Sequence, residues 1–548
     1  MEIALLQKPV MNGHPLYPLK KALYAGLLIP LIYCSWMAIV MARHPMLIDW
    51  DGVMHYFAGA DIYHGNGYRG WASHFWPPLY PLLTGTLLRW MDGALAAKLI
   101  SLLSATLLLW LSHRFAYKLS GNAVIACLAQ LVIATDPDFV VLSIKAENHM
   151  LDSLFYVMAI WMLLQNLEKE QGRGYWMVGL VCGLAGLSRY TSYSLLPAFV
   201  GSMFCFYPPR RATLNALRIT AGFVLISSPW WLINFLDNGS PLATWQYMNI
   251  GAGVFTDQQN IWWWWWSGID GFASITDIIR HSPGPFAANF LKNILKSFFI
   301  IFYKGQFTGM ICCIAVFLLI LAYRFRYRAP LLRTRLYLPV LFSLLCFVAL
   351  VSQAFVFSEV FLSWLVLVAI YGINAIYRLS KGVHWNNPAY RPLALSLITV
   401  VFAFDFFHTT RQLNNYWVNS TGLEDNTAMV TALKTIDRQL DKKVIMSFHP
   451  GRAYYLGSGY VMLPPYYNGD LNGLVTYQHM SDKVKEHAPR YPSILNVHNL
   501  KVDYLIYDQR AAACLPRFSF LLKQQSDSIP VNFQRVYHSD KMAVYKIN

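Results

Sequence analysis

Charge is scarce in this chain. Aspartate, glutamate, lysine and arginine make up 13% of its 548 residues, where an ordinary soluble domain has about 25%. Acids are the scarcer kind, 28 against 44 basic residues. A water-facing surface over most of the length is thereby excluded. Cysteine is nearly absent from the polar parts. Most of the eight fall inside apolar runs, including Cys34, Cys127, Cys182, Cys312, Cys313 and Cys346, and only Cys514 lies in the polar tail. There is no CxxC pair, which excludes a zinc ribbon, a thiol redox pair and a disulfide framework. A glycine-rich nucleotide loop is also missing, since Gly457-Ser458-Gly459 reads only as a turn.

Hydrophobicity fills the space that charge leaves. Apolar residues are 56% and aromatics 16%, with a mean hydropathy of +0.36. Apolar runs of about 15 to 20 residues recur from Ala22 to about Phe407, and each can cross roughly 30 Å of hydrocarbon as a helix. The first follows Lys20 and Lys21 without a small-residue cleavage site, so it reads as a retained helix rather than a signal peptide. The net charge of +16 is spread over short loops such as Arg210-Arg211, Arg324 to Arg335 and Arg378 to Lys381. That is the pattern of cytoplasmic loops, not of a nucleic-acid surface.

These loops orient a polytopic α-helical membrane protein with about eleven transmembrane helices, its N-terminus cytoplasmic and its C-terminus outside. Residues 1–407 form the membrane domain, with outer loops at about 42–93 and 237–305. Leu79 to Trp90 is too short to span comfortably and reads as an interfacial helix. Trp262 to Trp266 belong at the outer interface, or form an aromatic platform for a sugar or lipid. Residues 408–548 are polar and mixed in charge. A helical pattern over Ala428 to Leu440 and short apolar runs at Lys443 to Phe448, Tyr460 to Leu463, Val502 to Tyr507 and Met542 to Ile547 predict a small non-cytoplasmic α/β domain.

Residues suited to chemistry gather at the outer ends of the spans. Asp49 and Asp51 follow the first one, in the run Asp49-Trp50-Asp51-Gly52, and Gly52 permits close backbone approach. Asp136 and Asp138 end the third span. Glu147, Asn148, His149 and Asp152 begin the fourth. Ionisable groups there are costly and face protein or water; they read either as helix caps, through Asp138 or Asp152, or as a second acidic group opposite Asp51, with Glu147 foremost. A divalent metal ion held by these carboxylates could neutralise a phosphate leaving group, although no spacing demands one. Arg189, followed by Tyr190, is an outer arginine against the positive-inside trend. It suits either a phosphate or interfacial snorkelling. Lys292, Lys296 and Lys304 are further outer cations for a lipid phosphate. His74 is either a sugar ligand or a turn residue.

The stretch Asp51-Gly52…Tyr56…Ala60…Gly65-Asn66-Gly67-Tyr68…Trp76-Pro77-Pro78-Leu79-Tyr80-Pro81 resembles the opening signature of the GT-C type membrane glycosyltransferases. The group of dolichyl-phosphate-mannose protein mannosyltransferases and bacterial lipid A aminoarabinose transferases is the nearest in kind. Gly186-Leu187-Ser188-Arg189-Tyr190-Thr191, His449-Pro450-Gly451-Arg452 and Val502 to Tyr507 are similar to segments of that group. The resemblance implies a hexosyl or pentosyl transferase of the cell membrane, bacterial inner membrane included, that makes cell envelope glycan. It implies a polyprenyl-phosphate sugar donor and a lipid, glycan or protein acceptor on the non-cytoplasmic side, with membrane lipids as surroundings. It assigns the essential aspartate to Asp51 and gives Asp49 no counterpart; beside it, the residues themselves offer Asp49, Tyr56, His74, Glu147, Arg189, Tyr190 and Lys296 as candidate substrate contacts. Many relatives have an arginine-tyrosine pair entering a late outer helix; here that place reads Phe357-Ser358-Glu359-Val360-Phe361. The alternative reading is a transporter or flippase for a lipid-linked saccharide, which leaves the large outer loop and outer domain unexplained.

Overall fold

The computed structural model describes residues 17–43, 50–68, 73, 75–169, 172–256, 272–303, 309–318, 337–354, 356–381, 404–411, 423–465, 467–477, 488–493, 495, 500–523 and 528–548. Asp49, His74, Trp262 to Trp266, Lys304, the Arg324 to Arg335 loop and most of the final expected span lie outside them.

Among the described residues, ten α-helices come first: α1 Tyr17–Arg43, α2 Trp50–Tyr63, α3 Leu79–Leu87, α4 Gly93–Ser120, α5 Ala123–Ala134, α6 Pro137–Ile144, α7 His149–Lys169, α8 Gly174–Ser188, α9 Leu195–Phe206 and α10 Pro209–Asn238. Their ends follow local chemistry. The Asp92 carboxylate caps α4 by accepting from Ala94 N–H, and Gly121 at φ +66° closes it. The Asn122 side chain caps α5. The Asp136 side chain caps α6, with Pro137 in its first turn. The capping acid is therefore Asp136 rather than Asp138 or Asp152. Among the described residues, five helices are long and apolar enough to cross a membrane, and α5 with α6, bent by 67° at their break, form either a broken sixth span or a re-entrant loop. Three further expected spans fall on shorter apolar helices: α8, Gly309–Leu318 and Leu338–Val351.

Glycines let α8 and α10 meet backbone to backbone. A Cβ on Gly179 would stand 2.0 Å from the Ile219 carbonyl oxygen, and one on Gly222 2.1 Å from that of Trp176. One apolar core joins α1, α4 to α10, Leu338–Val351 and Leu362–Lys381. Leu28, Leu31, Leu225, Leu232 and Leu236 point outward, which suits hydrocarbon surroundings and would be a liability in water.

The C-terminal region carries helices and a sheet that has, among the described residues, six strands: β1 Val444–Ser447, β2 Gly459–Met462, β3 Arg490–Tyr491, β4 Tyr504–Asp508, β5 Phe533–Ser539 and β6 Met542–Ile547. The order is β3-β2-β1-β4-β6-β5, with β1 parallel to β2 and β4 and the flanking pairs antiparallel. The expected strand runs match β1, β2, β4 and β6. The other two, β3 and β5, escape a search for apolar runs: β3 is two residues long, and β5 sits at the sheet edge with exposed polar positions such as Gln534 and Arg535.

Candidate active site

The site is assembled around α2. Its first turn carries the exposed Asp51, where a carboxylate is favoured by the unpaired N–H groups of the helix start. The flank bearing Gly52, Val53 and Gly59 packs on the membrane bundle. A Cβ built on Gly52 would lie 3.1 Å from that of Ala146, and one on Gly85 of α3 would lie 2.4 Å from the Gly59 carbonyl oxygen. Val53 shares a small core with Ala94, Ala97 and Ala146. The Gly85–Gly59 contact admits only glycine, and the tight approach of Gly52 to Ala146 sets the first turn of α2, with Asp51, at the segment 145–148.

That segment is the break between α6 and α7, and it concentrates charge. Lys145 Nζ lies 3.6 Å from Glu147 Oε1 and 3.6 Å from Glu359 Oε1. His149 Nε2 lies 3.4 Å from Glu147 Oε2. Lys145, Glu147, Asn148 and His149 are all buried. Behind them, Ser101 Oγ donates to the Glu147 carbonyl at 3.0 Å, and Tyr80 donates to the Ala97 carbonyl at 2.7 Å. Arg189 enters from the other side. It ends α8 in extended geometry and donates from Nη1 to Asn148 Oδ1 at 3.1 Å, with the His149 ring at the same distance. Asn148 in turn donates to the Ser188 carbonyl at 2.8 Å. Ser192 donates to Asp152, which sits in the first turn of α7. Lys145, Arg189 and the carboxylates of Glu147 and Glu359 are thus linked through Asn148 and His149 at the helix break.

Glu147, His149 and Glu359 offer donor atoms within 4.8 Å of one another, a set that fits a divalent ion. Lys145 competes for the two carboxylates with its own positive charge.

Of the other candidates, Tyr56 packs between Gly93 and the edge of Tyr454, its ring centroid 4.8 Å from that of Tyr454; burial raises its pKa. Tyr190 buries its hydroxyl beside Trp230, Asn234 and Thr244 without a well-formed hydrogen bond. Lys296 is half-buried on Pro283–Tyr303 and makes no ion pair among the described residues. The structure therefore brings Glu147 and Arg189 together through Asn148 and His149, adds Lys145 and Glu359, and sets Gly52, the residue after Asp51, against Ala146. Glu359 was visible in sequence only as a departure from a pattern, and nothing local signals a contact with a residue more than two hundred positions away.

His55, one turn after Asp51, is buried against Trp76 and Tyr80, with centroids 4.6 and 5.1 Å away. Burial, and then the nearby charge of Arg189, lower its pKa from 6.5 to about 3. Between those values the unfolded chain binds a proton that the folded one refuses. Its contribution to stability is complete above pH 6.5 and is lost as the pH falls toward 3, by about 1.4 kcal/mol per pH unit. Thermal melts of wild type and His55→Gln between pH 4 and 7 should diverge in slope, the variant being the flatter. Parallel slopes would show that His55 is not held neutral.

Below the break lies a cavity of about 490 Å³ between α3, α4 and α7, lined by Leu83, Ile100, Leu107, Leu151, Phe155 and Trp161 among others. Its lining on α4 runs from Ile100 to Leu111, about 16 Å at 1.5 Å per residue. The upper end adjoins the buried Tyr80–Ile100–Leu151 cluster, next to the Ser101–Glu147 hydrogen bond.

Residues 76–233 match the model of the dolichyl-phosphate-mannose-protein mannosyltransferase family. The match takes in the 145–149 break and Arg189 and begins beyond Asp51. The fold is similar to that of ArnT from Cupriavidus metallidurans. Against its crystal structure bound to undecaprenyl phosphate the TM-score is 0.54 at 10% identity, covering 97% of this chain and 98% of that one. Against the apo structure it is 0.50 at 12% identity, covering 93% and 97%. No curated protein matches in sequence. The resemblance to the GT-C glycosyltransferases is thus one of fold along nearly the whole chain and of sequence over α3 to α10.

Proposed function

We propose that this chain is a membrane glycosyltransferase that moves a sugar from a polyprenyl-phosphate donor to an acceptor hydroxyl on the non-cytoplasmic face. The observation that carries the reading is an adjacency: the exposed Asp51 sits next to Gly52, which packs on Ala146 in a helix break that holds two cations, and an apolar cavity leads from that break along the spans. A lipid-linked sugar phosphate has complementary parts. Its chain suits the cavity, its phosphate suits Lys145 and Arg189, and its anomeric carbon would then stand near Asp51. The Cupriavidus ArnT structure holds a ligand of the same chemistry, undecaprenyl phosphate. Neither the family match nor the fold favours the transporter alternative.

In this mechanism the acceptor oxygen attacks the anomeric carbon while Asp51 takes its proton. The bond to the phosphate oxygen breaks on the opposite face, and the lipid phosphate leaves with the electron pair. One displacement inverts the anomeric centre. Arg189 matches two phosphate oxygens with its planar fork, and Lys145 supplies a compact charge. A divalent ion on Glu147, His149 and Glu359 would supply further neutralisation of that phosphate when bound. The N-terminus is cytoplasmic and the α/β domain lies outside, as a bacterial inner-membrane enzyme of envelope glycan synthesis requires. Hexose or pentose, and a lipid, glycan or protein acceptor, all suit this chemistry.

A panel of synthetic polyprenyl-phosphate sugars, with release of lipid phosphate as the readout, tests the reading; no release from any member would overturn it. Leu107→Trp fills the cavity from a residue already exposed on α4. It should raise KM for long-chain donors about tenfold, the scale of about 1.4 kcal/mol of lost contact, and leave donors with two isoprene units unaffected. An equal effect on both would remove the donor chain from this cavity.

A further inference from the structure

The face of α2 turned away from the bundle is gripped by the C-terminal domain along its whole length. Trp50, Met54, Phe57, Ala58 and Asp61 recur at helical spacing. Met54 and Ala58 belong to the core of the α/β domain itself. Phe57 stacks on Tyr491 at 5.2 Å and on Tyr460 at 6.0 Å. At the far end, the buried Asp61 accepts from Ser493 N–H at 2.8 Å. At the near end, Trp50 lies between Phe448 at 5.5 Å and His449 at 5.7 Å, the His449 ring set nearly perpendicular to the indole.

His449 is itself fixed by its neighbours. Its Nδ1 accepts from Gly451 N–H at 3.1 Å, and Ser447 donates to its carbonyl at 2.8 Å. Arg452, three residues on, pairs with the buried Asp508 at 3.2 Å, and Asp508 caps the next helix by accepting from Ala511 N–H. The turn His449-Pro450-Gly451-Arg452 is therefore a rigid corner of the domain whose ring abuts the residue next to Asp51.

We propose that His449 is a positioning residue: through Trp50 it sets the place of Asp51, so that the outer domain is a working part of the transfer site and not an accessory. The inference rests on Asp51 as the base. Burial, with Arg452 and Arg510 nearby, lowers the His449 pKa to about 3. The ring is neutral at pH 7, so neutral replacements are fair probes.

Two substitutions separate the roles of this ring. His449→Asn keeps an acceptor for Gly451 N–H and removes the ring from Trp50. His449→Phe keeps a ring on Trp50 and removes the acceptor. In the full-length protein, His449→Asn should lower kcat about 10- to 100-fold, as expected for a base displaced by an ångström or less. Donor KM should stay within about twofold and Tm close to wild type. His449→Phe should retain most of kcat even where its Tm falls. Wild-type turnover by His449→Asn, or His449→Phe as the less active of the two, overturns the proposal. So does a loss of kcat that follows Tm in both variants, which is what a purely structural role predicts. Asp51→Asn, assayed alongside, keeps the two claims apart. If it remains active, the base assignment fails whatever His449 does; if it is dead while His449→Asn is unaffected, only the positioning role fails.

Discussion

Asp51→Asn is expected to reduce transfer by about a thousandfold or more, at the upper part of the range for loss of a general base. Asparagine has nearly the shape of aspartate and can still accept hydrogen bonds at the first turn of α2, but its amide oxygen cannot take a proton at neutral pH. The side chain is exposed, so the stability cost should stay near that of losing one charge at a helix start, about 0.3 to 1 kcal/mol. Donor KM should change little, because the carboxylate acts on the acceptor hydroxyl rather than on the phosphate. The measurement is release of lipid phosphate by purified protein, with a thermal melt to show that the variant is folded. A folded variant that still turns over donor at near the wild-type rate would remove Asp51 from the chemistry.

Arg189→Ala is expected to lower kcat by about 10²- to 10³-fold, the usual result of removing one preorganised donor from a site of developing negative charge. Asn148 and the His149 ring hold the guanidinium at 3.1 Å, so little reorganisation is needed when phosphate charge builds up. Arg189→Lys should recover only part of the loss, because an ammonium supplies a point charge without the paired donors of the fork. Inhibition by free polyprenyl phosphate should weaken in both variants. That readout matters because Arg189 also braces α7 against α8. Lower Tm with unchanged kcat and unchanged product inhibition would leave it as a brace alone.

The membrane-length runs were readable because hydrocarbon allows few charges and requires internal backbone pairing, so span and composition go together. Gly93–Ser120, His149–Lys169 and Pro209–Asp237 match runs visible in the chain. The short segment from Leu79 proved a separate nine-residue helix, Leu79–Leu87. Strands β1, β2, β4 and β6 were readable for a related reason: each is a compact apolar run in a polar region. Short β3 and polar β5 carry no such signal. In the site, Asp51, Glu147 and Arg189 stood out because each is an ionisable group at the end of an apolar run. Lys145 was visible only as one of several charges opening the fourth span. His55 stood in the same stretch as Asp51 without a role of its own, and Asp61 gave no signal in its turn-rich context.

The sequence by itself determined the class of molecule: a multi-span helical chain followed by a region with a small sheet, with an acidic and aromatic stretch after the first apolar run. Those features depend on composition over windows of a few to twenty residues, where local free energies add. Only the tertiary structure decided which charges meet. The Lys145–Glu359 contact joins segments more than two hundred residues apart, and the Ser493–Asp61 hydrogen bond joins residues 432 apart. Such pairings follow from how glycine-lined helices and a distant sheet close on α2, and a chain read in order carries no local free energy that selects them.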